Sequence, residues 1–298
     1  MHIPGVGGAN FHSSSDPANQ ALNDFMKQIL SIEDSGEASE TTLNQLSSDA
    51  KTINSSLGSF SPPLNPKFAD DIREFASNPS STSSLLGQLT SVSPGDSDKL
   101  QGLSLAIQAQ YEGSDSCISE QFVPLLEKIE GSGNMTSTQV DQLRVLTTAF
   151  AALQPDNVPT QFLDDCQSFS DNPMSQNSLF GQLANAKGPD QAKGFALAIQ
   201  AQYEGSDSCI TKQFMSLLNQ IEGSGTITST QVDQLRSLST AFAALHPDNV
   251  SAKFLADCES FSSNPEENST LFGQLANAKD PDQVKSLASQ LLSEYEGS

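Results

Sequence analysis

The chain repeats one pattern three times, and this repetition constrains its fold more than any other feature of the sequence. The tetrapeptide Tyr-Glu-Gly-Ser begins at Tyr111, Tyr203 and Tyr295, at intervals of 92 residues. Longer strings such as STQVDQLR and LFGQLANAK also recur. Because self-similarity at a fixed period marks repeated structural units, the sequence predicts three tandem copies of one unit.

The copies follow a short N-terminal segment of different composition. Residues 1–19 are rich in Gly, Ser and Asn, almost uncharged and without apolar periodicity, so we expect this segment to be flexible. The sequence then predicts a divergent first copy over 20–112, a second copy over 113–204 and a third copy over 205–298.

Apolar spacing within one copy indicates helices. Phe122, Leu125, Leu126 and Ile129 fall on one face of a helix, and the same periodicity indicates four more short helices in that copy. Thr136-Ser137-Thr138-Gln139 has the form of a capping box at the start of the second helix. Since the period far exceeds the roughly 34–47 residues of helical solenoid repeats, we expect an all-α fold of three tandem five-helix bundles in an elongated array.

Charge narrows the classes of partner. The chain has 14 Lys and Arg against 36 Asp and Glu, a formal net charge of −22. Such a field repels nucleic acid and anionic membrane surfaces at long range, so neither is expected as a partner. No apolar window approaches the length of a membrane span, so no membrane insertion is expected.

The N-terminal segment also bears on localisation. It lacks the basic start and apolar core of a secretory signal peptide. In composition it resembles the short, Ser-rich export signals of type III secretion, which implies a secreted or cell-surface protein that uses a non-canonical export route. A disordered tail without a signal is the alternative.

One loop resembles a calcium-binding motif. Ile221-Glu222-Gly223-Ser224-Gly225-Thr226-Ile227-Thr228 joins two predicted helices and resembles the helix-loop-helix of EF-hand proteins. Calcium needs several carboxylate oxygens and a bidentate Glu at the end of the loop. Here Glu222, or Glu130 in the second copy, is the single acidic residue, and Gln231 or Gln139 ends the loop. We therefore expect no metal site.

Four cysteines occupy matched positions. Cys117 and Cys166 of the second copy correspond to Cys209 and Cys258 of the third, and the first copy has neither, with Ile72 in place of the second thiol. Their joint absence favours a disulfide within each copy, Cys117–Cys166 and Cys209–Cys258, in an oxidising compartment. The alternative is a set of reduced thiols that act as small buried hydrophobes.

Other polar residues carry no recognisable chemistry. Asp71, Asp165 and Asp257 recur in all copies, and we interpret them as acidic residues that offset a helix dipole near the N-terminus of the third helix. His246 corresponds to Gln154, which indicates a surface position. The sequence has no catalytic triad, phosphate loop or paired-His motif, so we expect no enzyme activity and no cofactor.

Two functional hypotheses from different classes remain. The first is a non-enzymatic, acidic interaction protein that presents repeated helical surfaces to a protein partner, as an exported bacterial effector or a surface-associated factor. The alternative is a structural protein that self-associates into a filament or coat through the same head-to-tail contact between chains as within one.

Overall fold

A computed structural model describes residues 16–247 and 249–296 of the chain. Fifteen α-helices and one short 3₁₀ turn make up the secondary structure of this part, which contains no strand. The prediction of an all-α protein is therefore confirmed.

The helices follow one another in sets of five along the sequence copies. The first copy contains α1 Pro17–Ser35, α2 Glu40–Ser55, α3 Pro66–Ser77, α4 Leu85–Thr90 and α5 Ser97–Glu112. The second contains α6 Ser116–Ser132, α7 Ser137–Leu153, α8 Thr160–Asp171, α9 Leu179–Ala184 and α10 Pro189–Tyr203. The third contains α11 Ser208–Ser224, α12 Ser229–Leu245, α13 Ala252–Ser263, α14 Leu271–Asn277 and α15 Pro281–Glu296.

The first helix begins inside the segment predicted to be flexible. Asp16 accepts a hydrogen bond from the Ala18 amide at 3.0 Å, and Pro17 occupies the first turn, where its missing N–H costs nothing. Pro17, Ala18 and Asn19 are therefore helical, contrary to the expectation for 1–19. The remainder of that prediction, residues 1–15, lies outside the described part of the chain.

The chain divides into two compact units whose boundaries differ from those of the sequence copies. One unit comprises the chain up to Phe122 together with Asp141–Asp156, and the other comprises Val123–Val140 and Asn157–Ser298. Residues 141–156 thus belong to the second copy by sequence but pack with the first copy. Adjacent copies therefore share a core.

An aromatic pair explains why the Tyr of the repeated tetrapeptide recurs. In each copy this Tyr lies edge-on against the first Phe of the third helix, an arrangement that aromatic rings favour. The ring centroids are 5.2 Å apart for Phe68–Tyr111, 5.2 Å for Phe162–Tyr203 and 5.5 Å for Phe254–Tyr295.

The capping box predicted at the second helix is present. The Gln139 amide donates to the Thr136 hydroxyl at 3.2 Å, and the Gln139 side-chain oxygen accepts from the Thr136 amide at 2.8 Å. Thr228 and Gln231 form the same box in the third copy. These bonds satisfy amides that the helix itself leaves without partners.

The fifth helix of one copy lies very close to the second helix of the next. A Cβ atom on Gly102 of α5 would stand 2.6 Å from the Thr148 Cβ and 2.7 Å from the Val145 carbonyl oxygen of α7. In the other unit, a Cβ on Gly194 of α10 would stand 2.5 Å from the Thr240 Cβ of α12. Only glycine permits this approach. Because each pair joins the fifth helix of one copy to the second helix of the next, we call these two helix pairs the junctions between copies.

We predict that Gly194→Ala destabilises the protein by about 1–3 kcal/mol, because the added methyl group overpacks the junction between α10 and α12. Denaturant unfolding measures the change. The matched control is Gly223→Ala in α11, where a Cβ would meet nothing within 4 Å and alanine favours the helix by up to about 1 kcal/mol. Equal stability of the two variants would contradict the close approach.

Candidate functional site

An Arg–Asp ion pair accompanies each close helix approach. Arg144 Nη1 of α7 lies 2.8 Å from Asp98 Oδ2 of α5, and Arg236 Nη1 of α12 lies 2.9 Å from Asp190 Oδ2 of α10. Burial raises the pKa of both carboxyls, and the guanidinium offsets part of that rise. Each pair bridges the two helices of its junction, and removal of one partner would leave the other charge half-buried and uncompensated.

A buried Glu–Gln contact lies on the neighbouring face of the fifth helix. The Gln108 side chain of α5 donates to the Glu33 carboxylate of α1, and burial raises the pKa of that carboxyl. In the second copy Glu130 lies beside Gln200 of α10, and burial again raises its pKa while the amide offsets part of the rise. The third copy has Leu292 in place of this Gln.

A cleft of about 630 Å³ opens beside the junction of the second and third copies. Helices α10, α11 and α12 line it, with one residue from α6. Its floor consists of Leu197, Leu217 and Leu238, whose side chains are only 5–7 % exposed. The floor therefore offers a narrow apolar contact to a side chain entering from solvent.

Polar side chains form the rim of this cleft. Lys193, Lys212, Glu130 and Asp233 carry the charge there, and Ser, Thr and Gln side chains complete the lining. Burial raises the pKa of Glu130 and of Asp190, and the nearby positive charge of Lys193 offsets part of that rise. The lining includes neither His nor Cys. It combines an apolar floor with carboxylate, ammonium, hydroxyl and amide groups.

The positions that form this cleft recur at the preceding junction in the sequence. Leu105, Leu125 and Leu146 correspond to the three floor leucines. On the second helix, Thr138-Gln139-Val140-Asp141-Gln142 matches Thr230-Gln231-Val232-Asp233-Gln234 residue for residue. The lysines do not recur, since Lys193 corresponds to Gln101 and Lys212 to Glu120. The two junctions thus share the three leucines and the acidic, amide-bearing segment of the second helix in sequence, but not the lysines.

The structure corrects the interpretation of the recurrent aspartates. Asp71 lies in the middle of α3, and its carboxylate accepts hydrogen bonds from the Leu85 and Leu86 amides at 3.0 and 3.2 Å. It therefore caps the fourth helix and not the third, on which it lies. Burial raises its pKa to about 6, against the lowering effect of these two bonds.

The other two aspartates have related but different partners. Asp165 accepts from the Gln161 side chain at 3.2 Å and from the Leu179 amide, and burial raises its pKa. Asp257 lies 3.5 Å from Lys253 Nζ on the same helix. Asp71 and Asp165 thus join the third helix to the start of the fourth, whereas the Lys253 partner of Asp257 lies on its own helix.

The fourth helix needs a glycine at the same corner. A Cβ on Gly87 would stand 1.7 Å from the Ser81 carbonyl oxygen, and the corresponding glycines Gly181 and Gly273 are equally close to a loop carbonyl. Ser84 caps this helix by accepting from the Gly87 amide at 2.9 Å. The recurrence of the LFGQL string therefore reflects a tight corner.

The predicted disulfides are not present in the structure, in which all four cysteines are free thiols. Cys166 and Cys258 are completely buried, as is Ile72 at the corresponding position of the first copy. Cys117 and Cys209 lie half-buried in the first turn of α6 and α11. Burial raises the pKa of all four thiols. The structure thus favours small buried hydrophobes for Cys166 and Cys258.

The EF-hand-like loop uses its side chains for other contacts. Thr136 and Gln139 cap α7, and Glu130 lies at the rim of the cleft beside Gln200. Across residues 16–247 and 249–296, no group of three or more His, Cys, Asp or Glu is placed to hold a metal ion. His246 is exposed, at the left-handed residue that ends α12.

None of the described helices is both long and apolar enough to cross a bilayer.

The junction was not predicted from the sequence, although a signal for it exists. Asp98 and Arg144 are separated by 46 residues, and so are Asp190 and Arg236. A recurring pair of opposite charges at a fixed separation across a copy boundary suggests contact between copies. Residues 144 and 236 hold two of the three arginines in the chain.

We predict that the protein gains stability as the pH falls from about 7.5 to about 5. Burial raises the folded-state pKa of Glu33, Asp49, Asp71, Asp98, Glu130, Asp165 and Asp190. A carboxyl with a raised pKa binds its proton more tightly in the folded state. Its contribution to the free energy of unfolding is therefore fully present below the unfolded-state pKa and is lost as the pH rises through the folded-state pKa. Melting temperature against pH measures the effect.

The control for this pH dependence is Asp71→Asn, which removes the carboxyl whose pKa is about 6. A rise of its pKa from 3.8 to about 6 corresponds to about 2–3 kcal/mol of unfolding free energy between pH 4 and pH 7, so the variant should show a shallower pH slope. Identical slopes for the two proteins would show that Asp71 does not titrate as its burial implies.

We predict that labelling reagents reach Cys117 and Cys209 in the native protein, slowly because burial raises the pKa of these thiols too, and that Cys166 and Cys258 stay protected until the protein unfolds. The reason is the complete burial of Cys166 and Cys258, which excludes reagent and raises their pKa well above the usual value. Thiol labelling followed by peptide mapping without reductant measures this. If disulfides form under oxidising conditions, no cysteine will label before reduction.

Comparisons with protein-family models, with curated proteins and with solved structures gave no match to this chain.

Proposed function

We propose that this protein is a non-enzymatic interaction protein built of three tandem five-helix copies, which binds a protein partner beside the junctions between copies. The proposal that it is exported, as an effector or a surface-associated factor, rests on the composition of residues 1–19 and on the polar character of the chain.

The observation that carries the proposal is the leucine floor of the cleft between α10, α11 and α12. Leu197, Leu217 and Leu238 come from three different helices and two copies, yet they meet at one partly open surface. The same three leucines occur at the corresponding positions of the preceding junction. Because these leucines are only 5–7 % exposed, a bound side chain would contact their edges, and the polar rim residues would supply the rest of the interface.

The partner expected at this site is a basic polypeptide segment with one apolar anchor. The net charge of −22 steers basic partners toward the chain. The rim residues shared by both junctions, Asp141 and Asp233, are acidic and exposed. Lys193 is balanced by carboxylates, and Lys212 is replaced by Glu120 at the other junction. An anchor of leucine size would lie on the floor, while its basic neighbours would face these carboxylates.

We predict that selection of random displayed peptides against the full chain enriches sequences that combine Lys or Arg with Leu or Phe. The enriched peptides should bind more weakly as salt rises, because screening removes the attraction between their basic residues and the acidic rim. Binding is measured with synthetic peptides by fluorescence anisotropy.

A blocking variant and a matched control test where these peptides bind. Ser216→Arg places a long cationic side chain on the exposed rim of the cleft and should weaken binding at least about tenfold, or about 1.4 kcal/mol. Ser263→Arg adds the same side chain at an exposed position of α13, outside the cleft lining. Equal affinities of the two variants would exclude this cleft as the binding site.

A further inference from the structure

The fifth helices of the first two copies are buried on the face that meets the next copy. Gly102, Leu105 and Ala109 of α5 lie on one face, and all three are buried. Gly194, Leu197 and Ala201 occupy the same positions of α10 and are also buried. This face accepts the second helix of the following copy, as the closeness of Gly102 to Thr148 shows.

The fifth helix of the third copy carries polar residues at these positions. Ser286, Ser289 and Ser293 of α15 replace Gly, Leu and Ala, and all three are exposed. Gln290 is exposed where the other copies have a buried alanine, and it donates to the Ser286 hydroxyl at 3.3 Å. The face that would accept another second helix has therefore lost both its close-approach glycine and its apolar contact.

The complementary face is altered on α2 of the first copy. Ser47 stands where Arg144 and Arg236 form the junction ion pairs, and exposed Lys51 stands where Thr148 and Thr240 pack on glycine. Thr52, also exposed, replaces a buried alanine of the later copies. Ser47 is neutral and cannot form an ion pair with a carboxylate. The side chain of Lys51 is too long to fit the close contact with a glycine that Thr148 and Thr240 make.

We propose that the polar outer faces of α15 and α2 prevent copies in different chains from forming the junction that joins copies within one chain. Repeat proteins need such polar terminal faces to stay soluble, because an unpaired junction face would associate with any complementary one. Head-to-tail assembly of the wild-type chain into a filament or coat through this contact therefore does not occur at micromolar concentrations. This inference does not depend on the proposed function.

The test restores the junction residues on the full chain. One variant, S286G/S289L/Q290A/S293A, gives α15 the residues of α10, and a second, S47R/K51T/T52A, gives α2 three junction residues of α12. Asp282 already occupies the position of Asp98 and Asp190, so it is available to the new arginine. Size-exclusion chromatography with light scattering measures the mass of each variant alone and of their mixture.

The expected result is a doubling of mass in the equimolar mixture, with the wild type and the α2 variant alone remaining monomeric. Adding Asp282→Asn to the α15 variant should weaken the complex, because the junction ion pair cannot form. Circular dichroism shows whether each variant is folded. A mixture of folded variants that stays monomeric would overturn the proposal.

The wild type provides a second test that does not depend on the variants. If the unaltered chain forms oligomers at micromolar concentration, and Ser289→Lys on the exposed face of α15 dissolves them, then this face is an assembly surface and the proposal is wrong. A wild-type monomer whose mass is unchanged by Ser289→Lys supports it.

Discussion

The packing of a fifth helix against the second helix of the next copy is the contact on which the rest of this structure depends. Gly102 and Gly194 let two helix backbones come close, and the Arg–Asp pair beside each glycine fixes their alignment. A glycine inside a helix costs about 0.5–1 kcal/mol relative to alanine. That cost is consistent with a contact that no larger residue permits. The close contact between copies also explains why the compact units do not end where the sequence copies end.

The same contact creates the candidate site. Leu197 belongs to one copy and Leu217 and Leu238 belong to the next, so the cleft floor exists only where two copies meet. A binding surface of this kind has a structural consequence, because any change that loosens the junction also changes the shape of the cleft. Stability at the junction and the binding proposed beside it would therefore be coupled.

The sequence predicted the local structure well and the contacts between copies poorly, for physical reasons. Apolar spacing such as Phe122 to Ile129 predicts α6 because one buried face is enough to define a helix. The caps at Thr136 and Gln139 were predictable because they are made within four residues. Asp71 was misinterpreted because the amides it caps lie fourteen and fifteen residues further along, across a loop whose path the sequence does not specify.

The junction face escaped prediction because α5 and α10 are apolar on more than one side. In these helices the stripe that faces the next copy merges with the stripe that faces their own copy, so periodicity does not separate the two. Only comparison with α15 separates them. This helix keeps the apolar stripe that faces its own copy, but it carries Ser286, Ser289 and Ser293 on the outer stripe. The cleft was missed for the same reason, since Leu197 belongs to that outer stripe.

Two effects oppose association between chains, and they differ in kind. The charge of −22 on each chain repels another chain, but salt screens this repulsion beyond a Debye length of about 8 Å at physiological ionic strength. The polar faces of α15 and α2 act at contact distance and depend on residue identity, so salt leaves them unchanged. Within one chain the junctions form despite the like charges of adjacent copies, because the glycine contact, the buried leucines and the paired arginine act together at short range. Charge alone therefore cannot be what distinguishes the inner junctions from the outer faces, and the distinction must lie in the few residues by which α15 and α2 differ from their counterparts.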